Sequence, residues 1–496
     1  MEAAAAPENI QVVLRVRPLS ETERSRGDRK VVQLMEDGKS VQLKSSSKED
    51  FGKSSGVKTF VFDSCVNEDA DQASFYDKCG AWRLAQKALD GYSSTLFAYG
   101  QTGSGKTYSI SGAEDVIIDD QYHGGDPREG LIPRTARQLW TELEGRRSER
   151  KYAVKAACFE IYNEQVLDLL NPEAGNLQIR ESRAQGFYIE NLLVVECQAA
   201  SDLLEVFKEG TRNRHVGEHQ LNRDSSRSHS ALVIYVDSVR LDEDTGEEIR
   251  QYGKLTFVDL AGSERLKYSG SSGEMMKETG SINRSLFTLG KVIATLSRGE
   301  TFVPYRDSKL TKLLMDSLGG SSSCVMVACC SPSGRFVEET LSTLQYASRA
   351  KSICNKPILQ LDPSQRLIQQ LRTEIQALRA ENMQLRIQQG IPAGEKIMPS
   401  SMALLRLQEH EEAGREAGRE AGREAGREAG RQREAPGSPS SPKPEETFSR
   451  SSSSLSVRGS NKLNGTGGGD PLYEKAVGYA EGYAAGLDQA REVLSR

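Results

Sequence analysis

The eight residues Gly100-Gln101-Thr102-Gly103-Ser104-Gly105-Lys106-Thr107 constrain this chain more than any other stretch of it. They satisfy G-x-x-x-x-G-K-[ST]. The preceding Ser94–Ala98 (STLFA) reads as a short buried strand and a helical pattern follows, so the motif stands in the strand–turn–helix setting that gives it a mechanism. In that setting backbone N–H groups of the turn and of the helix start cradle phosphate oxygens. Lys106 then neutralises charge at the β- and γ-phosphates, and the Thr107 hydroxyl can ligate Mg²⁺. A bound nucleoside triphosphate is expected.

The surrounding pattern is that of an α/β domain. Ile10–Val16 is a β-branched run closed by Pro18, which reads as a strand, and Thr59–Phe62 resembles an edge strand. Ala153–Ile161, Ala231–Val239 and Leu255–Val258 fit further strands. Helical periodicity runs over Ala81–Leu89, Leu203–Glu209, Ser281–Leu296, Ser308–Leu318 and Glu338–Ser352. Strands interleaved with helices predict a mixed central β-sheet flanked by helices.

The character changes after Pro357. Ile368, Leu371, Ile375, Leu378, Asn382 and Leu385 recur at spacings of three and four, with Asn382 at a heptad a position, where a polar residue favours a defined register. A short coiled coil over 364–389 is expected. It serves either as a homodimer seam or as one helix packed on its own core, since so short a helix is marginal alone. The tetrapeptide EAGR repeats five times over Glu412–Arg431, and the glycines cost ~1 kcal/mol each in a helix. With the Ser-, Pro- and Gly-rich stretch that follows, 390–469 reads as a low-complexity, disordered tail. Over 470–496, Asp470-Pro471 can open a helix whose apolar stripe (Leu472, Ala476, Tyr479, Tyr483, Leu487) needs a partner helix or its own core to cover it.

Composition removes several classes. A formal net charge of -5 over 496 residues does not fit a nucleic-acid-coating protein. The eight cysteines form no C-x-x-C pair and no Cys/His cluster at metal spacing, so reduced thiols are expected. The start, Met1-Glu2-Ala3, lacks the basic-then-apolar pattern of a signal peptide, and no apolar run approaches a membrane span. Cytoplasmic residence without membrane insertion is the expectation.

A P-loop alone does not separate a GTPase, an ATPase and a motor. Three further segments do: Asn222–His229 (NRDSSRSH), Asp259–Glu264 (DLAGSE) and Val303–Gly320 (VPYRDSKLTKLLMDSLGG). With the P-loop and FEIYNEQVLDLL at 159–170, they closely resemble the kinesin motor domain, over about residues 9 to 357. The resemblance implies a P-loop NTPase of the kinesin motor fold over 1–356. NRDSSRSH is then switch I, with Ser226 helping to hold Mg²⁺ and Ser225 near the γ-phosphate. DLAGSE is switch II, in which Asp259 holds a Mg²⁺-bound water and the Gly262 N–H senses the γ-phosphate. Arg227 and Glu264 bridge the two switches around the attacking water. Such a site works by positioning and charge stabilisation rather than by a strong base. Arg15, Arg17 and Pro18 match the family's R-x-R-P segment, and Pro18 and Tyr108 sandwich adenine. No NKxD guanine signature stands in the equivalent place, so ATP is the expected fuel, hydrolysed to ADP and phosphate.

The resemblance also implies a track. Tubulin surfaces are acidic, so lysine and arginine should line the face that meets them. Arg306, Lys309 and Lys312 belong to the expected β-tubulin contact, and Lys267, Lys277 and Arg284 flank the loop and helix after switch II. Residues 352–363 resemble a neck linker, in which Ile353 enters a pocket on the core and Ile358 and Leu359 pair along it as an added strand. Gln360 stands where the family often has a latching asparagine, and His219 where it commonly has threonine. The expected activity is a microtubule-stimulated ATPase driving plus-end-directed movement, the polarity following from the position of the motor ahead of the linker. The alternatives are a non-motile microtubule-binding scaffold, against which the intact Lys106, Thr107, Ser226, Arg227, Asp259 and Glu264 argue, and a regulator of microtubule ends.

Overall fold

Strand Ser93–Tyr99 is buried along its whole length, as a strand covered by helices on both faces must be. Around it a computed structural model places a ten-stranded mixed sheet. The structure describes residues 6–44, 56–119, 121–182, 186–221, 225–241, 246, 248–264 and 274–388. All of these lie in the first of the two units into which the chain divides, 1–392 and 393–496. The expected low-complexity tail and C-terminal helix therefore lie outside the described residues.

The sheet runs in the order Asn176–Leu177, Gln165–Asp168, Lys151–Tyr162, His229–Leu241, Glu248–Asp259, Ser93–Tyr99, Ser323–Cys330, Gln11–Val16, Ser64–Val66, with Val195–Cys197 also on Lys151–Tyr162. The half from Glu248–Asp259 to Ser64–Val66 is parallel, and the other half is antiparallel. Period-two alternation splits the core in two. Leu96 and Ala98 face helices Ala81–Leu89, Leu131–Gly145 and Ala200–Leu221, while Phe97 and Tyr99 face Glu274–Ser297, Lys309–Leu313 and Val337–Ala350. Ser93–Tyr99 and Glu248–Asp259 end side by side, with Ala98 opposite Asp259. The loops that leave these two strands thus share the carboxyl edge of the sheet, where ligands of open α/β sheets bind.

The helix at Ala81–Leu89 spans the residues its periodicity marks. Others depart from expectation. The Leu203–Glu209 pattern is the apolar part of a helix that continues to Leu221. The edge strand expected at Thr59–Phe62 is present as Val57–Val61, an outer strand of a separate three-stranded sheet. The expected helix over Ser308–Leu318 is broken into Lys309–Leu313 and a 3₁₀ turn, Met315–Ser317. The tighter turn lets Ser317 Oγ bond Thr95 Oγ1 at 2.8 Å and the Leu318 carbonyl accept from Tyr305 at 2.5 Å.

Residues 353–362 lie along the core. Ile353 is buried, and its carbonyl accepts from Ile10 N–H at 3.0 Å. Cys354–Asn355 pairs antiparallel with Glu8–Asn9. Beyond it, Lys356 and Ile358 N–H groups reach the Gly320 and Ser321 carbonyls at 2.9 and 3.2 Å. Gln360 donates to Gly91 at 2.9 Å and accepts from Tyr252 N–H at 2.8 Å. Leu359 bridges Tyr92 and Leu361 bridges Gln251 in the antiparallel sense. Helix Pro363–Gln388 follows, with Leu371, Ile375, Leu378 and Leu385 between 46% and 56% exposed.

Candidate active site

The P-loop leaves Tyr99 through Gly100, whose φ of 154° and tight surroundings exclude a side chain. A Cβ there would run into the Cys329 carbonyl and lie 2.7 Å from Ser104 Oγ. The turn closes through Gly103 and Gly105, both at positive φ, into helix Lys106–Ile110. Lys106 is only 7% exposed and donates to the Gln101 carbonyl at 3.0 Å. Burial pulls its pKa down, with Asp259 opposing that shift. An ammonium buried with so little around it is poised to meet an anion.

Thr107 Oγ1 donates to Asp259 Oδ2 at 2.5 Å, so the P-loop helix and the end of strand Glu248–Asp259 are tied at the side chains expected around Mg²⁺. Asp259 Oδ1 is buried and has no hydrogen-bond partner among the described residues, nor have Ser104 Oγ and Gln101 Oε1. A buried carboxylate oxygen left over beside a hydroxyl fits a hard cation that keeps most of its waters and takes few protein ligands. The residues present therefore fit Mg²⁺ brought in with a triphosphate.

The two switch segments meet on this edge. Gly262 N–H donates to the Ser226 carbonyl at 2.7 Å, and Ser263 N–H donates to Gly100 at 3.1 Å. A Cβ at Gly262 would collide with Thr102 Oγ1 and the Glu264 carboxylate, which is why the backbone can pass so close to the P-loop there. Glu264 accepts from Thr102 N–H at 2.8 Å and from the Thr102 hydroxyl. The expected Arg227–Glu264 pair is not among the described contacts. Ser225 opens the 3₁₀ turn Ser225–Arg227, and its side chain lies outside the described residues.

At the R-x-R-P segment the arginines divide the work. Arg17 donates to the Gly103 carbonyl at 2.6 Å and grips Glu23 with both terminal nitrogens, at 2.6 and 2.7 Å. That grip holds the Glu23 carboxyl down to about 2. Arg15 points inward instead. It is 8% exposed, bonds Gln72 and Ser109 at 2.9 and 3.0 Å, and lies over Phe75 at 4.1 Å and Tyr108 at 5.4 Å. There it packs against the half-exposed Tyr108 ring.

The basic residues lie under other conditions. Arg306 chelates Glu181 at 2.8 and 2.9 Å, and its side chain is 72% exposed. Lys309 Nζ bonds Asn176 at 3.1 Å, while its N–H and the Ser308 hydroxyl are held by Glu164 at 2.8 and 2.7 Å. Lys312 is the partly buried last turn of the same short helix. Arg284 is exposed and donates to the Asp307 carbonyl at 3.1 Å, which joins the two expected contact groups into one face. Lys267 and the Lys277 side chain lie outside the described residues. Phe287, 64% exposed beneath Lys291 (4.7 Å from the ring centroid), extends this face and was not marked by the sequence.

Two further residues were given no role in the reading of the motifs. Arg214 stands between Glu160 and Asp259, 3.7 and 3.6 Å away, and donates to Ser228 and Ser230 at 3.3 and 3.1 Å. His229 is buried, accepts from Ala261 N–H at Nδ1 over 2.9 Å, and meets Ser285 Oγ through Nε2 over 2.8 Å. Burial, with Arg214 and Lys106 nearby, holds this imidazole down to about 3 and hence neutral. The available signal was its place as the last residue of NRDSSRSH, two positions before the apolar strand residues Ala231–Ile234.

The geometry agrees with what similar proteins show. A family model described as the kinesin motor domain matches residues 15–353. Kinesin-like protein Klp68D of Drosophila pseudoobscura pseudoobscura is 40% identical over 375 residues, which covers 75% of this chain but 44% of the fly protein. Kinesin-like protein KIN-1 of Oryza sativa subsp. japonica is 40% identical over 350 residues, 70% of each chain. A solved structure described as a fast kinesin superposes with a TM-score of 0.64 at 36% identity, over 72% of this chain and 95% of that one. A P-loop on the parallel half of a mixed sheet, two interlocked switch segments and these matches lead to one statement: this chain belongs to the kinesin motor-domain family.

Proposed function

We propose that this chain is a microtubule-stimulated ATPase that moves along microtubules toward their plus ends. The observation that carries the reading is the Thr107–Asp259 bond beside the unpartnered Asp259 Oδ1, within the same edge as buried Lys106. Such a cluster is costly to bury unless an anion and its cation complete it. Lys106 and the P-loop N–H groups hold the phosphates of ATP, while Thr107, Ser226 and Asp259 would hold Mg²⁺. Bound there, Mg²⁺ would draw charge from the phosphate oxygens. Gly262 N–H exchanges its Ser226 partner for the γ-phosphate, so the presence of that group is registered by the backbone linking both switches. Glu264 leaves Thr102 to pair with Arg227 around the attacking water, which Ser225 and the backbone orient. Pro18 and Tyr108 enclose the adenine, with Arg17 fastening the R-x-R-P segment to the P-loop.

Residues 352–363 act as the neck linker. Their bonded path past Gly320, Gly91 and Tyr252 supports that role, because a segment held by so few backbone bonds can be released without disturbing either core. Arg306, Lys309, Lys312 and Arg284, with Lys267 and Lys277, face tubulin. Residues 364–389 form a parallel two-stranded coil, supported by the half-exposed Leu371, Ile375, Leu378 and Leu385. The protein works in the cytoplasm on the microtubule cytoskeleton.

Purified protein on a glass surface should propel polarity-marked microtubules with their minus ends leading when ATP is present. Movement in the opposite direction, or microtubule shortening without movement, would replace this reading with one of its alternatives. Sedimentation of the same protein should show a dimer that dissociates in the micromolar range, as a short seam predicts. A protein monomeric at roughly tens of micromolar would remove the coil from the mechanism.

A further inference from the structure

We propose that His229 is a positioning residue that carries the setting of the Asp259–Glu264 segment to helix Glu274–Ser297 through Ser285. This rests on the motor reading above and adds the atoms through which one end of the motor informs the other.

The ring has one donor and one acceptor, and both are committed. Ala261 N–H donates to Nδ1, so Nδ1 carries no proton and the neutral ring holds its proton on Nε2. Nε2–H then faces Ser285 Oγ at 2.8 Å. Ala261 directly precedes Gly262, whose N–H is bonded to Ser226. Ser285 directly follows Arg284, whose guanidinium is fastened to the Asp307 carbonyl ahead of Lys309 and Lys312. His229 itself is anchored in the sheet, with its neighbour Ser230 opposite Asp259 and His229 opposite Ile161.

An imidazole is rigid, and this one is 3% exposed and faces a serine that is 5% exposed. Neither bond can be replaced by bulk water when Ala261 shifts, and a buried donor or acceptor left unmade is expensive. A displacement of Ala261 is therefore favoured together with a displacement of Ser285. Any buried acceptor would satisfy Nε2–H, and the one the fold supplies lies on the helix that also carries Arg284.

The test uses the full chain with Ser285→Ala, Ser285→Thr, His229→Asn and the Ser285→Ala/His229→Asn double variant. Asparagine keeps an acceptor for Ala261 N–H but is too short to reach Ser285. Basal ATP turnover and thermal midpoint are measured, then maximal microtubule-stimulated turnover and the microtubule concentration at half-maximum. Ser285→Ala should leave basal turnover within twofold and lower the stimulated maximum about tenfold, the factor that corresponds to 1.4 kcal/mol of lost transition-state stabilisation. Ser285→Thr, which keeps the hydroxyl, should restore most of it. The double variant should be no worse than Ser285→Ala. Stimulation within twofold of the unaltered protein in Ser285→Ala, or losses that multiply in the double variant, would overturn the proposal. Should His229→Asn fold poorly, the two serine variants still decide it. An unaltered protein showing no stimulation by microtubules overturns the motor reading itself.

Discussion

Two groups of basic residues in this molecule live under opposite physical conditions. Lys106 is 7% exposed and lies against the P-loop backbone, while the Arg306 side chain is 72% exposed and chelates Glu181 in open solvent. A buried charge is held at one place and suffers a large loss if that place changes. An exposed ion pair contributes about 0–1 kcal/mol, weakens with salt and can exchange partners. The contrast separates two kinds of function. The nucleotide edge works through position, which no neighbouring residue can supply. In the proposed reading the outer face works through the number of charges it presents, and Glu181 holds Arg306 where a more acidic surface would compete for it.

The sharpest break of this comparison is Lys106→Ala. It should lower ATP turnover by about 10²–10³-fold, the cost of removing one aimed donor from an electrostatic site. Steady-state hydrolysis and nucleotide binding would both register it, and turnover within tenfold of the unaltered protein would deny the lysine its role. Glu264→Ala should retain nucleotide binding and still lose most hydrolysis, since the hydrogen bonds of Glu264 to the P-loop among the described residues go to Thr102. The smallest effects belong to the outer face. Arg306, Lys309 and Lys312 replaced together by alanine should weaken microtubule cosedimentation several-fold at low salt, with the difference shrinking as salt rises. Basal turnover should stay put, and Arg306→Ala alone should move stability by under about 1 kcal/mol. Equal binding by the triple variant at low salt would move the track to another face.

The same contrast explains what could be read from the chain. The P-loop strand, its turn and helix Ala81–Leu89 were legible because local pattern and tertiary burial agree there. Helix Ala200–Leu221 was legible only to Glu209, because apolar periodicity stops near Phe207. Beyond it the helix is held by polar contacts, Thr211 Oγ1 to the Phe207 carbonyl and Arg214 to Ser228 and Ser230. Strand Glu248–Asp259 was legible only at its buried end, Leu255–Val258, since its outer half alternates with solvent. Arg15 was legible as part of the R-x-R-P segment, but its partners Gln72 and Ser109 were not, since both lie far from it in sequence. A motif fixes which residue types gather, but not which of them faces the ligand.

The order of the strands has a consequence for how the protein is made. Gln11–Val16 lies between Ser323–Cys330 and Ser64–Val66, with Val13 opposite both Val327 and Ser64. At roughly 5–20 residues per second, a ribosome takes on the order of tens of seconds between making this strand and making its far neighbour. Throughout that interval Val12, Val13 and Leu14, all fully buried in the finished sheet, have one covered edge at most. Pairings this distant in sequence form late and slowly. The nascent chain therefore presents an apolar strand with an open edge until residue 330 has cleared the exit tunnel, and a translational pause placed before that point would lengthen the exposure.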